Sequence, residues 1–320
     1  MTGATGFVGG AVAKQLISRG HQVNAIVRDF NKASNLERLG VHLFPGDVTD
    51  KESMIQPMRG MDGIFHIAGW YKIGVGDKTA GEKINIQGTR NVLELILNLG
   101  ISKGVYTSTL AINSVTHGKI VDESYHFSGN HLSEYDRTKA SAHDLARQMI
   151  AERLPLVIVM PGIIYGPGDT SNLRVNIVDY LKRKLPGIPA RTAYSWGFVD
   201  YIATGHLLAM EKGKNGEPYI IAGETHLLRE AFNMAEEITG IPAPVEIPFN
   251  LLKGLSAIMK VFEKIIPVPE IYSAEGLRVI AGVTYTGDNK KAREELGYSP
   301  RNFTDGWRET LQHEMKVLGI

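Results

Sequence analysis

Tyr135 and Lys139 stand four residues apart in Tyr135-Asp136-Arg137-Thr138-Lys139, a stretch whose pattern predicts a helix over 135–153. One helical turn separates them, so both reach the same small molecule from one face. An ordinary phenol, with a pKa of about 10, is a poor acid–base catalyst at neutral pH. An ammonium beside it favours the phenolate and draws that value toward the working range, which makes the pair a candidate for general acid–base chemistry. Tyrosine and lysine also meet at this spacing by chance, so the pair gains weight only from its surroundings. A third member is expected to be a hydroxyl at the end of the preceding strand. Tyr106-Thr107-Ser108-Thr109 offers three in a row.

The opening Met1-Thr2-Gly3-Ala4-Thr5-Gly6-Phe7-Val8-Gly9-Gly10 is the second constellation. Gly3, Gly6 and Gly9 stand in a G-x-x-G-x-x-G frame, and a helical pattern follows over Gly10–Arg19. A Cβ at such positions blocks a tight turn and holds the backbone away from a ligand. The helix start then aims N–H groups and the positive end of its dipole at a phosphate. Three glycines alone are a weak signal; their place ahead of the Tyr–Lys helix makes it a strong one. Such a turn ordinarily follows a buried central strand, and none fits before Thr2. The expectation is that the chain as given begins late and that several apolar residues precede Met1 in the working protein. A rearranged sheet that tolerates the loss is the alternative.

The elements that must position these groups follow from composition and pattern. With 320 residues, 43% of them hydrophobic, and a formal net charge of +1, the chain reads as a soluble globular protein of one large or two modest domains. Near-neutral charge and the lack of a basic stripe argue against a nucleic-acid partner. The absence of cysteine excludes disulfides, zinc–thiolate sites and thiol nucleophiles, and no metal is expected. Neither a signal peptide nor an eighteen-residue apolar run occurs, which points to a cytoplasmic protein with no need of a membrane.

Short apolar runs alternate with amphipathic stretches through the first half, the rhythm of an α/β protein with a parallel sheet and crossover helices. Strands are expected at Val23–Val27, Val41–Phe44, Gly63–Ile67, Gly104–Thr107 and Leu156–Met160, and helices at Gly10–Arg19, Ala80–Leu99 and Tyr135–Arg153. Beyond Pro161, helices near Arg174–Lys184, Val199–Lys212, Leu228–Thr239 and Asn250–Ile265 dominate. Residues 162–320 therefore read as a smaller, mostly helical substrate lobe, some segments of which return to the sheet of residues 1–161. Phe249–Ile266 is apolar around most of its circumference, with Lys253, Lys260 and Lys264 as its cations. It is expected to pack over a substrate pocket or into a subunit contact rather than on a membrane surface.

Together these pieces resemble the extended short-chain dehydrogenase/reductase family, within the NAD-dependent epimerase/dehydratase superfamily, over nearly the whole chain. The resemblance implies a Rossmann-type, doubly wound parallel sheet with a dinucleotide on the glycine turn, where Thr5, Phe7 and Val8 accompany Gly3, Gly6 and Gly9. It places the triad hydroxyl on Thr109, with Ser108 as fallback and Thr107 beside the cofactor or in a strand-edge hydrogen bond. Gly46-Asp47-Val48 resembles the adenine corner, although an Asp closing a turn accounts for Asp47 nearly as well. His66-Ile67-Ala68-Gly69 resembles the loop under the pyrophosphate, with Ala68 and Gly69 giving close approach and His66 structural. Asn85-Ile86-Gln87-Gly88 resembles the long helix beside the cofactor, Asn85 either orienting the nicotinamide side or making a buried structural hydrogen bond. Pro161-Gly162-Ile163-Ile164 resembles the segment that passes the nicotinamide. Tyr135 and Lys139 would touch both cofactor and substrate. Family members often dimerise through their two long helices, so a homodimer is one expectation.

The acid that holds an NAD ribose stands about 20 residues beyond the glycines. Counting from Gly6, that position is Val27, which accepts no hydrogen bond. Arg28 follows and suits a 2′-phosphate, with Lys32 as a second cation, so NADP is expected and NAD, through Asp29, is the alternative. The Val27–Asp29 stretch and the late Gly287–Pro300 segment look most similar to bacterial dihydroflavonol reductase-like proteins, near the hydroxysteroid dehydrogenase branch. That implies reduction of a ketone or aldehyde on a small, fairly apolar substrate. The alternative is a sugar-nucleotide epimerase or dehydratase, although Met160 stands where many such enzymes place arginine; Arg174, Arg191 and Arg278 remain as phosphate clamps. A non-catalytic NADP-binding regulator ranks last, because Tyr135 and Lys139 are both present. Tyr165, Asn172, Tyr194 and Trp196 are pocket candidates that serve equally as packing.

Overall fold

The computed structural model describes residues 1–263 and 273–320. Strands β1 (Asn24–Val27), β2 (His42–Pro45), β3 (Gly63–His66), β4 (Lys103–Thr107) and β5 (Leu156–Pro161) fall within one residue of the apolar runs that predict them. All pair in parallel, as β1 with β2 and as β3-β4-β5. Every residue of β5 is buried, as expected of a strand covered on both faces. Between β1 and β3, Thr2 bridges Ile26 and His66. The Thr2 N–H donates to Phe65 O and the Ile26 N–H to Met1 O, each at 3.0 Å. Two residues thus join the halves of the sheet at the slot where a longer strand was expected.

Helices α1 (Phe7–Ser18), α2 (Ser34–Arg38), α3 (Lys51–Met58), α4 (Thr79–Gly81), α5 (Thr89–Asn98) and α6 (Glu134–Ala151) complete the first half. The helix expected over 80–99 is not uniform, because α4 runs through a π-helical segment, Glu82–Gly88, into α5. Gly88 is required there, since a Cβ would stand 2.7 Å from the Val48 side chain.

The second half holds β6 (Ile163–Tyr165), α7 (Asn172–Leu181), β7 (Ile188–Pro189), β8 (Ala193–Phe198), α8 (Val199–Lys212), β9 (Pro218–Ile221), β10 (Thr225–Leu227), α9 (Leu228–Thr239), β11 (Glu246–Ile247), α10 (Phe249–Phe262), α11 (Ala274–Ile280), β12 (Thr284–Tyr285) and α12 (Phe303–Leu318). It is less helical than its sequence suggests. A mixed sheet, ordered β10-β8-β12 with β6 also on β8, lies at its centre, and β7 pairs with β11. Two segments return to the first half. β9 pairs in parallel with β5, and α8 packs on α1, where Gln15 Nε2 donates to Asp200 O at 2.7 Å.

Apolar cores cover both faces of the parallel sheet. One joins Val12 and Ala13 of α1 to Ile202 and Leu207 of α8; the other joins Met54, Leu93, Leu145 and Ala146 of α3, α5 and α6. A third core is aromatic and holds Tyr165, Trp196, Phe198, Phe303 and Trp307. Helix α10 buries Leu252 and Ser256 and leaves Leu251, Leu255, Ile258, Val261 and Phe262 exposed. The expected continuation of this helix to Ile265 and Ile266 lies outside the described residues. Among the described residues, no helix is long and apolar enough to cross a membrane.

Trp307 is fully buried, and its Nε1 donates to Ala231 O at 2.8 Å. Trp307→Ala should therefore cost about 3–5 kcal/mol, read as a lowered urea midpoint. A midpoint like the parent's would mean that this aromatic core does not hold the second half together.

Candidate active site

Helix α6 starts where Ser133 caps it, its Oγ accepting from Asp136 N–H at 3.0 Å. Asp136, Thr138, Lys139, Ala142, His143 and Ala146 form the buried face, and Tyr135 is half-buried at its edge. Thr109 lies two residues beyond β4, at the carboxyl end of the parallel sheet, where ligand crevices form in open α/β sheets. Its hydroxyl accepts from Ala111 N–H at 3.2 Å and hydrogen-bonds the Tyr135 side chain. Ser108 turns elsewhere, with its Oγ 2.9 Å from His143 Nδ1. The Thr107 hydroxyl meets His206 Nε2 at 2.9 Å, while its carbonyl accepts from Lys139 Nζ at 2.7 Å. The structure thus joins Thr109 to Tyr135, sets the Lys139 amine one helical turn along on Thr107 O, and leaves the fallback Ser108 out.

The electrostatics differ from the sequence expectation. Burial pushes the Tyr135 phenol up, Tyr71 adds to that rise, and the Thr109 hydrogen bond works against it. The Lys139 ammonium does not offset this, because it points at Thr107 O and at Tyr106 Oη, 3.2 Å away. Burial also pushes Lys139 down to about 7. Tyr135 is therefore held as a phenol, a proton donor, beside an amine whose charge is poised near neutrality.

The glycine turn is built for close approach. At Gly3, with φ of 76°, a Cβ would lie 2.5 Å from Ala68 N; at Gly9 it would lie 2.0 Å from Gly3 O. Gly6 begins α1 without any side-chain cap, and Thr5, Phe7 and Val8 are exposed or half-buried around it. Ala68 and Gly69 border the turn, and a Cβ on Gly69 would stand 4.0 Å from Lys139 Nζ. Arg28 follows β1 with its side chain 71% exposed, its Nε 3.7 Å from Asp47 Oδ2. Asp47 closes its own turn by accepting from Thr49 N–H and Oγ1, and Val48 is buried against Gly88. Pro161 ends β5, and Ile163 and Ile164 pair with β8, so Pro161–Ile164 crosses from one sheet to the other. Asn85 takes the structural alternative: its Oδ1 accepts from Trp70 N–H at 2.7 Å, and its Nδ2 donates to Thr138 Oγ1 at 2.9 Å. His66 is structural as expected, burial holding it neutral with a value of about 3.

Residues that the sequence did not single out surround Tyr135. Tyr71 meets it edge-on, with ring centroids 4.8 Å apart. Asp136 is buried, and its carboxyl accepts from Ser133 Oγ at 2.7 Å and Tyr285 Oη at 2.9 Å. Burial raises this carboxyl to about 7 against those two hydrogen bonds. Tyr285 lies 6.1 Å from Tyr194, ring to ring. Of the four pocket candidates, Tyr194 stands near this cluster, Tyr165 and Trp196 belong to the aromatic core, and Asn172 is exposed. Only tertiary folding shows these neighbours, since Tyr285 is 149 residues from Asp136.

Comparison with known proteins now bears on this geometry. The model of the NAD dependent epimerase/dehydratase family matches residues 1–222. The chain belongs to that family. A Synechocystis protein named "Putative dihydroflavonol 4-reductase" is 33% identical over 307 residues, covering 93% of this chain and 88% of that protein. The 4-hydroxy-2-methyl-3-oxo-4-farnesyl-3,4-dihydroquinoline-1-oxide ketoreductase of Stigmatella aurantiaca is 29% identical, covering 94% and 91%. Among solved structures, gox2253 superposes with a TM-score of 0.87 at 31% identity, over 99% of this chain and 97% of that one. The dTDP-glucose 4,6-dehydratase DesIV of Streptomyces venezuelae, at 20% identity and a TM-score of 0.79, shares the fold.

This epimerase/dehydratase family member is thus an NAD(P)-dependent oxidoreductase of the extended short-chain dehydrogenase/reductase type. Gly3 and Gly9 allow the turn to fold tightly on its own backbone, and Gly6 leaves the start of α1 exposed and without a side-chain cap, so the residues present fit a dinucleotide.

Asp136 generates a pH prediction. Its folded carboxyl holds a proton up to about 7, against 3.8 unfolded, so the folded state is the better proton binder between those values. Stability from this group is therefore lost as pH rises through that window, at up to about 1.4 kcal/mol per pH unit. Asp136→Asn should gain stability relative to the parent from pH 5 to pH 7 and hold the gain above it. Denaturant midpoints for the two proteins that run parallel across this range would contradict the assignment.

Proposed function

We propose that this protein is an NADPH-dependent reductase of a ketone or aldehyde on a small, fairly apolar substrate. The observation that carries the reading is Tyr135 hydrogen-bonded by Thr109, kept protonated by burial, one helical turn from the buried Lys139. A nicotinamide cofactor, when bound, supplies the hydride. Tyr135 gives its proton to the carbonyl oxygen, and Thr109 donates a hydrogen bond that polarises it. Lys139, fixed by Thr107 O, stands ready to hold the cofactor's ribose. Gly3, Gly6 and Gly9 with α1 would hold the pyrophosphate, and Asp47 and Val48 the adenine side.

Two observations support NADP over NAD. Arg28 is largely exposed and only loosely paired with Asp47 at 3.7 Å, so its guanidinium is available to a 2′-phosphate. Asp29 instead accepts from Asn31 N–H at 2.9 Å in its own turn. The sugar-nucleotide reading loses support from the arginines it needs. Arg174 pairs with the buried Glu314 at 2.8 Å, Arg278 donates to Leu132 O at 2.7 Å, and Arg191 lies over the Phe249 ring. The names of the Synechocystis and Stigmatella relatives also favour reduction.

Tyr135→Phe should cut turnover at least about a hundredfold while NADPH affinity, read by fluorescence titration, stays near that of the parent. Unchanged turnover would remove Tyr135 from the mechanism. Arg28→Ser should raise the KM for NADPH about tenfold and leave that for NADH alone. Equal effects on both coenzymes would count against the 2′-phosphate assignment.

A further inference from the structure

Lys139 does not end in a void or at solvent; it heads a run of buried polar groups that the acid–base site does not itself require. Its Nζ donates to Tyr106 Oη at 3.2 Å, and the same ammonium lies 4.8 Å from the Tyr106 ring centroid. Tyr106, fully buried in β4, hydrogen-bonds the Thr89 side chain at the start of α5. Thr89 Oγ1 is 2.9 Å from His66 Nε2, and His66 Nδ1 is 2.8 Å from Thr2 Oγ1. Thr2 Oγ1 also accepts from Ala68 N–H at 3.3 Å, directly under the glycine turn. His66 stacks on Tyr106 with centroids 5.5 Å apart, which fixes both rings. Tyr106, Thr89, His66 and Thr2 are all buried.

An ammonium only donates, so Tyr106 Oη accepts from Lys139, and the side-chain hydrogen bond between Tyr106 and Thr89 fixes the hydroxyl in place. Thr89 in turn satisfies the neutral His66. A hydroxyl oriented in this way presents a lone pair to Lys139 without rearrangement, which stabilises the charged amine in a dry site.

We propose that Tyr106, oriented by Thr89 and His66, is a positioning residue that holds the Lys139 amine in its charged form and ties it to the glycine turn. The inference rests on the proposed acid–base role of Lys139, and it adds residues to that role. The titratable groups that face Lys139 are Tyr106 and His66 from the sheet and His143 one turn along α6, both histidines being pushed down by burial first and by Lys139 in addition.

The test follows Lys139 directly, by NMR of lysine side-chain Cε signals against pH in the full chain, with Lys139→Met supplying the assignment. Removing the acceptor in Tyr106→Phe should lower the Lys139 midpoint by about one pH unit, the worth of a hydrogen bond to a charged group. Thr89→Val, which touches Lys139 nowhere, should shift it in the same direction by less, and Thr89→Ser should restore the parent value. NADPH-dependent carbonyl reduction at pH 7 should fall about fivefold in kcat for Tyr106→Phe, with the carbonyl KM unchanged. Should Tyr106→Phe fail to fold, the Thr89→Val and Thr89→Ser pair decides. A Lys139 midpoint unmoved in Thr89→Val and in any folded Tyr106→Phe overturns the proposal. A shifted midpoint in a chain that reduces no carbonyl overturns the reductase reading and leaves this inference standing.

Discussion

A lysine ammonium buried at the carboxyl end of a parallel sheet is the constraint around which this molecule is arranged. Removing such a charge from water is costly unless polar atoms receive it. Here the Thr107 carbonyl and the Tyr106 hydroxyl receive Lys139, and both belong to β4. The strand that brings these acceptors continues into Thr109, and the helix that carries Lys139 also carries Tyr135 one turn earlier. The same pairing of β4 with α6 therefore places the amine, the phenol and the hydroxyl together. The cost of the arrangement is visible in the lowered proton affinity of Lys139, which burial alone accounts for.

Several other buried polar groups near this end of the sheet also find partners inside the protein. His66, His143 and His206 are each buried and held neutral, and each meets a hydroxyl from Thr89, Ser108 or Thr107. Asp136 meets Ser133 and Tyr285. Buried networks of this kind are rigid when every member is satisfied, and rigidity at the reacting groups is what proton transfer asks of a scaffold. The link from Asp136 to Tyr285 also fastens the start of α6 to β12, so the second half of the chain is registered against the half that carries Thr109, Tyr135 and Lys139.

Much of this was legible in the sequence, for physical reasons that also explain what was not. The parallel strands read clearly because burial on both faces demands unbroken apolar runs, as in Leu156–Pro161. Tyr135 and Lys139 read clearly because helical spacing alone puts them on one face. The mixed sheet of the second half escaped notice because β8 is buried along nearly its whole length, so its small residues alternate with Tyr194, Trp196 and Phe198 without the polar–apolar alternation that marks a half-exposed strand. The resemblance placed the candidate hydroxyl on Thr109 with Ser108 as fallback, and the structure sets the Thr107 and Ser108 hydroxyls against His206 and His143. The expectation that Lys139 would lower the Tyr135 value did not survive, because a helical spacing fixes the face and says nothing of where the amine points. Asp136, Tyr71 and Tyr285 could not be found from spacing, since their meeting is wholly tertiary.

The central claim is that a phenol held protonated in this site completes a hydride transfer to a carbonyl carbon. It is tested most directly by incubating the protein with NADPH deuterated at C4 and a panel of apolar ketones and aldehydes, and by mass spectrometry of the products. The account predicts one deuterium on the new carbinol carbon for each NADP formed. Deuterium that never leaves the cofactor, or substrates that interconvert without net NADP formation, would contradict it.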